Sequence, residues 1–379
     1  MKLDSHARLI HMDALRAFCM LFGIMVHAAT IADNPFFTFV KDASNLFRMA
    51  TFMLISGFFT ALVATRSADI STYYRGRMRV LVFPLVSTLL LLNPVTTWLI
   101  HIWHNNFMGF GEWLGGGWRS PTRGNDVWHL HLWFLFSLIA YALVTPALLL
   151  LFRRPFMSRT LDHYCDLTSG WTAWANVALV AVGVAGCRLI HDKLTGPLSA
   201  DTPFGWIESA TLTYFSYFVL GLLAFLNRRL FASLHIWSWT GLILFTGLYL
   251  MTRHVDLGLP RAPERMLYWI AGSGLTMFII CALMYVFQRW VNKPGAVLRF
   301  LVDGSYTFYL VHMTVIYLLA HLFTGITNNV YVIYGLLILV GTPVCFAIHH
   351  YLIAPVPLLR WMFNGKRTPG SGRAPASTS

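Results

Sequence analysis

The sequence predicts an all-α, polytopic membrane protein of about ten transmembrane helices with both termini in the cytoplasm. Three observations carry that expectation. Only 11% of the 379 residues are charged, against 57% hydrophobic and 15% aromatic, where soluble domains average about 25% charged. Mean hydropathy is +0.61, and a soluble core cannot absorb that much apolar side chain while leaving so few charges for its surface. Apolar stretches of about 20 residues, the length that crosses a bilayer as a helix, recur along the chain, and Lys and Arg crowd into alternate connecting segments. The composition excludes a soluble cytosolic enzyme, a disordered chain and a nucleic-acid binder.

The spans are expected at roughly 12–31, 46–65, 80–100, 128–151, 172–190, 205–226, 236–252, 267–287, 304–323 and 331–353. The first follows a short polar N-terminus, Met1 to His11, without a credible small-residue cleavage site, so it reads as a retained helix rather than a signal peptide. The second contains Ser56-Gly57, which suits a close helix contact better than a nucleophile. The third contains Pro84, and the fourth opens on Trp128-His129-Leu130-His131-Leu132-Trp133, where an aromatic belt explains the tryptophans better than the histidines. The fifth and seventh are short or interrupted by Gly. The ninth starts at Asp303 and carries Ser305, Tyr306, Tyr309 and His312, and the tenth ends near an interfacial His349-His350 pair. No internal repeat is visible. Residues 364–379, rich in Pro, Gly, Ser and Arg, are expected to form a disordered cytoplasmic tail, which leaves 1–363 as one transmembrane domain.

Orientation follows from the cations. With the N-terminus inside, the cytoplasmic segments hold Lys2, Arg8, Arg66, Arg75, Arg77, Arg79, Arg153, Arg154, Arg159, Arg228, Arg229, Arg289, Lys293, Arg299, Arg360, Lys366, Arg367 and Arg373. The other side holds Lys41, Arg119, Arg123, Arg188, Lys193, Arg253, Arg261 and Arg265, and Arg16 and Arg48 sit within or at the edge of spans. The bias supports an even number of spans. It also accounts for most of the net charge of +13 without a polyanionic partner. The five cysteines are scattered with no Cys-x-x-Cys pair, which argues against a disulfide framework or a zinc site.

Ionisable groups inside a span are costly and mark functional candidates. Asp13 and Arg16 are one helical turn apart and can pair. Arg16 and His27 are eleven residues apart, about 20° around the helix and roughly 16 Å along it, so they share a face. That spacing equally suits an interfacial ion pair plus a satisfied bundle histidine. His131 is expected at the same depth as His27, and His312 near mid-depth. Tyr73-Tyr74-Arg75-Gly76-Arg77-Met78-Arg79 reads as a cytoplasmic loop whose arginines could grip phosphates or simply obey the positive-inside rule. There is no P-loop, no dinucleotide fingerprint, no Gly-x-Ser-x-Gly elbow and no His-Glu-x-x-His.

Four segments in order resemble the acyltransferase-3 family of membrane acyltransferases: Arg16-x10-His27 preceded by Asp13; Phe47-Arg48-Met49 through Ser56-Gly57-Phe58; Arg75 to Pro84; and Ser305-Tyr306-Thr307-Phe308-Tyr309-Leu310-Val311-His312. The resemblance covers roughly residues 10 to 355. Met12 to Ala17 and His131-Leu132-Trp133-Phe134-Leu135 look most like the branch that succinylates osmoregulated periplasmic glucans. The resemblance implies a transferase in the bacterial inner membrane that moves an acyl group, succinyl or alternatively acetyl, from cytoplasmic acyl-coenzyme A to hydroxyls of a periplasmic glucan. Acyl-coenzyme A is then a co-substrate, with no tightly bound cofactor and no metal; the glucan and membrane lipids are the other partners.

Under that resemblance His27 is the general base, Arg16 and Asp13 complete the catalytic set, and Arg75, Arg77 and Arg79 hold nucleotide phosphates. Arg48, His131, Trp133, Tyr306, Tyr309 and His312 are expected around the substrates. An imidazole of ordinary pKa, near 6.5, is a suitable base at neutral pH. The rival reading, a polysaccharide or lipid transporter, also accommodates intramembrane charges but expects an inverted repeat; a plain membrane scaffold needs no Asp-Arg-His face.

Overall fold

In hydrocarbon every backbone amide must be satisfied within its own segment, which leaves helices as the open-ended solution. The computed structural model describes residues 9–105, 107–117, 128–195, 204–291 and 293–365, and among them there are helices but no strands. In chain order these are α1 (Ile10–Leu21), α2 (Gly23–Ala28), α3 (Pro35–Asn45), α4 (Arg48–Arg66), α5 (Ile70–Leu91), α6 (Asn93–His104), α7 (Phe110–Gly115), α8 (Trp133–Phe152) and α9 (Pro155–Leu167). They continue as α10 (Thr172–Ile190), α11 (Gly205–Leu226), α12 (Arg228–Ser233), α13 (Trp239–His254), α14 (Arg261–Trp290), α15 (Ala296–Phe323), α16 (Val330–Ala347) and α17 (Pro357–Asn364).

Among the described residues eight helical stretches are long and apolar enough to cross a membrane, or nine if the bent pair α5–α6 counts as one span. The bend of 47° falls at Leu92, just before Pro94 near the start of α6; a proline cannot donate to the preceding turn. The remaining expected span, 236–252, corresponds to α13. At 16 residues it rises only about 24 Å, short of a hydrocarbon core of about 30 Å. It packs along α14. Each of the ten expected stretches thus has a helical counterpart among the described residues: eight single stretches, the bent pair α5–α6 and the shorter α13.

Two expectations change. The basic stretch Arg75–Arg79 is not a loop but the second turn of α5, whose N-cap Asp69 accepts from the Thr72 backbone N–H at 2.7 Å. Asp69 is fully outside the spans, and that bond, with one from the Thr72 hydroxyl, lowers its carboxyl pKa below the ordinary value. Asn364, assigned to the tail, instead ends α17: it is buried and accepts from the Thr307 hydroxyl at 2.9 Å. Gly365 follows in the left-handed region at φ 61°, against the backbone of Arg79 and Val80. The tail itself, 366–379, lies outside the described residues.

The core is built on α1, α4, α11 and α15, with α8, α10 and α14 around them. Its closest crossing is α4 on α11, where Gly57 faces the backbone of Phe218 and Gly221 faces that of Leu54. A Cβ at either glycine would overlap a main-chain carbonyl. Small residues let helix backbones approach in a medium that offers no hydrophobic drive between them, as Ser56-Gly57 suggested. Gly57→Ala and Gly221→Ala should each cost about 1–3 kcal/mol, seen as a lower thermal midpoint of the protein in detergent. Gly247→Ala, which meets nothing within 4 Å, should be neutral or slightly stabilising; equal effects at all three positions would refute the close-crossing account.

Candidate active site

Two cavities enter the bundle from opposite ends and share no lining residue. The first, about 320 Å³, opens among Arg16, Arg77, Asp303, Tyr306 and Asn364, the end where the basic segments of the sequence gather. The second, about 530 Å³, is lined by His27, Arg48, Trp133, Arg188, Tyr214 and Trp269 with other aromatic side chains. Only a short septum separates them. On α4, Ala50 lines one cavity and Phe52 the other, about 3 Å apart along the axis. On the first span, Met20 and Val26 stand on either side, about 9 Å apart.

The first span delivers Arg16 to one cavity and His27 to the other. It is broken at Phe22 between α1 and α2, so the pair sits on two short helices rather than one continuous face. Arg16 lies 3.4 Å from Asp13, the expected pair, and its guanidinium carbon is 5.1 Å from the centroid of the Phe59 ring, a favourable cation–π placement.

His27 stands in a cluster of three imidazoles drawn from three distant parts of the chain. Its ring centroid is 5.0 Å from that of His312 and 5.9 Å from that of His131, and the last two are 4.9 Å apart. His312 is 1% exposed. Its Nδ1 lies 2.7 Å from the Tyr309 carbonyl and 3.2 Å from that of Phe308. Carbonyls only accept, so Nδ1 carries the hydrogen in the neutral ring and Nε2 presents its lone pair. That Nε2 meets no hydrogen-bond partner among the described residues. His131 is reached by the turn before α8, where Leu130 adopts φ 49°, unique among the described non-glycine residues. Such a left-handed residue costs about 1–3 kcal/mol unless its surroundings fix it. Here the Tyr309 hydroxyl donates to the His131 carbonyl at 2.8 Å, and the His131 and Tyr309 rings are 5.0 Å apart.

Arg48 completes the centre. It begins α4 just after the break at Leu46-Phe47. Its Nε donates to Ser44 Oγ at 3.0 Å, which leaves the two Nη groups to point inward. A Cβ on Gly23 would lie 3.1 Å from Arg48 Nη1 and 3.8 Å from His312 Nε2, so both atoms face that bare backbone. Trp133 stacks on Tyr214 at 5.8 Å and 19° in the wall of the second cavity. The septum is aromatic: Phe52 meets Phe134 edge-on at 4.6 Å, and Phe134 meets Tyr309 at 5.5 Å.

The other expected residues are divided. Tyr306 lines the first cavity and donates to the Val80 carbonyl at 2.9 Å. Arg77 lines it too, hydrogen-bonded to Thr60. Arg75 and Arg79 do not line it. On a helix alternate residues point about 200° apart, so α5 aims Arg77 at the cavity and turns the other two away; Arg75 is exposed. Sequence reading missed Tyr214, Thr60 and Arg188, whose types carry no signal outside the folded cavity walls. Among the described residues no three His, Cys, Asp or Glu side chains are placed to hold a metal ion.

The family model described as an acyltransferase domain matches residues 9–350. The chain is similar to proteins named "Glucans biosynthesis protein C" from Escherichia coli strains, among them O81 (ED1a), O139:H28 (E24377A / ETEC) and K12 (DH10B). Each is 24% identical over 379 or 380 residues, covering 94% of both chains. No solved structure matches the chain. The match runs through both cavities and the imidazole cluster between them, and the chain belongs to the acyltransferase-3 family of membrane acyltransferases.

Proposed function

We propose that this acyltransferase moves an acyl group, succinyl rather than acetyl, from cytoplasmic acyl-coenzyme A to a hydroxyl of a periplasmic glucan. The observation that carries the reading is the placement of His27 and Arg16, on one broken span, in two cavities that enter from opposite ends. The basic end is taken as cytoplasmic and the membrane as the bacterial inner membrane, in line with the cation bias. The relatives' printed name supports a glucan acceptor, and the aromatic walls of the second cavity suit the apolar faces of sugar rings.

In this reading the nucleotide stays at the basic mouth, where Arg77 and Arg16 face its phosphates. The pantetheine arm runs past Met20 and Phe52 to bring the thioester to the imidazole cluster. His27 removes the proton of the acceptor hydroxyl, the oxygen attacks the thioester carbonyl, and Arg48 donates to the oxyanion as it forms. Collapse expels the thiolate, which takes the proton back from His27, giving the ester and free coenzyme A. His312, whose Nδ1 is tied to two carbonyls, fixes the cluster from below, and Asp13 holds Arg16 in place. A transporter would need no such convergence of imidazoles and guanidinium.

Loss of a general base costs about 10²- to 10⁴-fold. His27→Ala should lower acceptor-dependent coenzyme A release by that much in nanodiscs, with the thermal midpoint near that of the wild type. Normal turnover in the folded variant would remove His27 from the role. A second expectation separates the basic residues. Arg77→Gln should raise KM for acyl-coenzyme A about 10- to 100-fold, the worth of a charged hydrogen bond, with KM for the acceptor little changed. Arg75→Gln should leave both constants within about twofold, since its side chain points away from the cavity; equal losses in the two variants would show that neither acts through donor contact.

A further inference from the structure

The second cavity has a charge imbalance that the transfer step does not use. The ionised side chains in its wall are Arg48, Arg188, Arg253 and Asp42. Asp42 is taken: it lies 2.5 Å from Arg253. The next acid in the chain, Asp192, two residues beyond the end of α10, is engaged by His191 and Arg265, each at 3.3 Å. Arg188 is thus left without an acidic partner among the described residues, and its Nε is shut off from solvent with no hydrogen bond. Its helix is held close to α11, where Cys187 Sγ lies 3.4 Å from Ser216 Oγ. Both Arg188 and Arg48 lie near enough to the Tyr214 phenol to act on it electrostatically, and all three line the same cavity.

A cation kept in the wall of an intramembrane cavity without a counter-charge is expensive and calls for an anionic ligand. A planar guanidinium suits a carboxylate in particular, through two parallel hydrogen bonds. The phosphates of coenzyme A are at the other end of the bundle in the proposed reaction, and an acetyl group brings no charge. One guanidinium, Arg48, stands among the reacting groups, so the second has a different anion to meet.

We propose that Arg188 determines acyl specificity by holding the free carboxylate of a short dicarboxylic acyl group while its thioester carbonyl lies at His27 and Arg48. The inference rests on the acyl-transfer reading above and names the chemistry of the group transferred. Arg188 touches the part of the acyl chain that does not react, so it selects the donor and takes no part in the proton transfer.

The test uses the full chain in nanodiscs with succinyl-coenzyme A and butyryl-coenzyme A, two four-carbon donors that differ by a carboxylate in place of a methyl group. The wild type should prefer succinyl. In Arg188→Gln the ratio of kcat/KM for succinyl over butyryl should fall about 10- to 100-fold, and Arg188→Lys should recover part of it. A loss common to both donors would overturn the proposal, because it would mark a structural role. So would a loss that followed the charge of the acceptor rather than that of the donor. Should the folded wild type turn over neither donor, the acyl-transfer reading fails by itself, and binding decides the matter of Arg188. Monomethyl succinate should raise the thermal midpoint of the wild type but not of Arg188→Gln, with methyl butyrate inactive on both. No shift, or the same shift in both proteins, would overturn the proposal.

Discussion

An ionisable side chain persists at membrane depth only where protein or water replaces its lost hydration. That constraint shapes this bundle more than any other. Arg16 leans on Asp13 and the face of Phe59; Arg48 hangs from Ser44; His312 hands its Nδ1 hydrogen to two carbonyls. In Arg48 and His312 the anchor uses the donor nearest the backbone and leaves the outer nitrogens turned toward Gly23. The helical breaks at Phe22 and at Leu46-Phe47 serve the same end. They bring Gly23 and Arg48 together, and because Gly23 has no side chain the guanidinium can lie against the backbone beside His312.

Rigidity around this centre comes from elsewhere in the fold. The α4–α11 crossing, closed by Gly57 and Gly221, fixes the helix that carries Arg48 against the helix that carries Tyr214. Further pairs tie the walls together at membrane depth, such as Thr96 with Thr314 at 2.7 Å and Thr30 with Tyr317 at 2.9 Å. Hydroxyl pairs of this kind are worth only a fraction of a kcal/mol to about 2 kcal/mol each in a membrane, but they lock relative rotation. An imidazole cluster with centroid spacings near 5 Å needs that restraint, since a small rotation of α2, α8 or α15 would disperse it.

Much of this was legible before any coordinates. Composition gave the environment, and the apolar windows gave nearly every span, because a transmembrane helix is a local property of about 20 residues. Asp13, Arg16 and His27 stood out for the same reason: polar side chains in an apolar window are visible without knowing the fold. What the windows could not show was direction and distance between segments. Arg75, Arg77 and Arg79 looked equivalent while they were read as a loop; as a helix they diverge, and Arg77 alone meets the cavity. Arg188 counted merely as a cation at the end of a span until α11 was seen to bring Tyr214 beside it. Sequence alone sets His131 at the depth of His27 and His312 near mid-depth, but the convergence of the three depends on the left-handed turn at Leu130 and on packing across 285 residues of chain from His27 to His312. A window reading resolves neither.

The thinness of the septum has an electrical consequence. Were both cavities hydrated in an energised membrane, the field would fall mainly across the few residues from Ala50 to Phe52 and from Met20 to Val26 that part them. A charge crossing that barrier exchanges about 2.3 kcal/mol per 100 mV with the membrane potential. In the proposed orientation, with the basic end in the cytoplasm and the interior negative, an acyl chain bearing a carboxylate would be drawn outward by that field, while an uncharged chain would feel nothing. Under the proposed reaction, transfer of an anionic acyl group would thereby respond to the membrane voltage, and transfer of a neutral one would not.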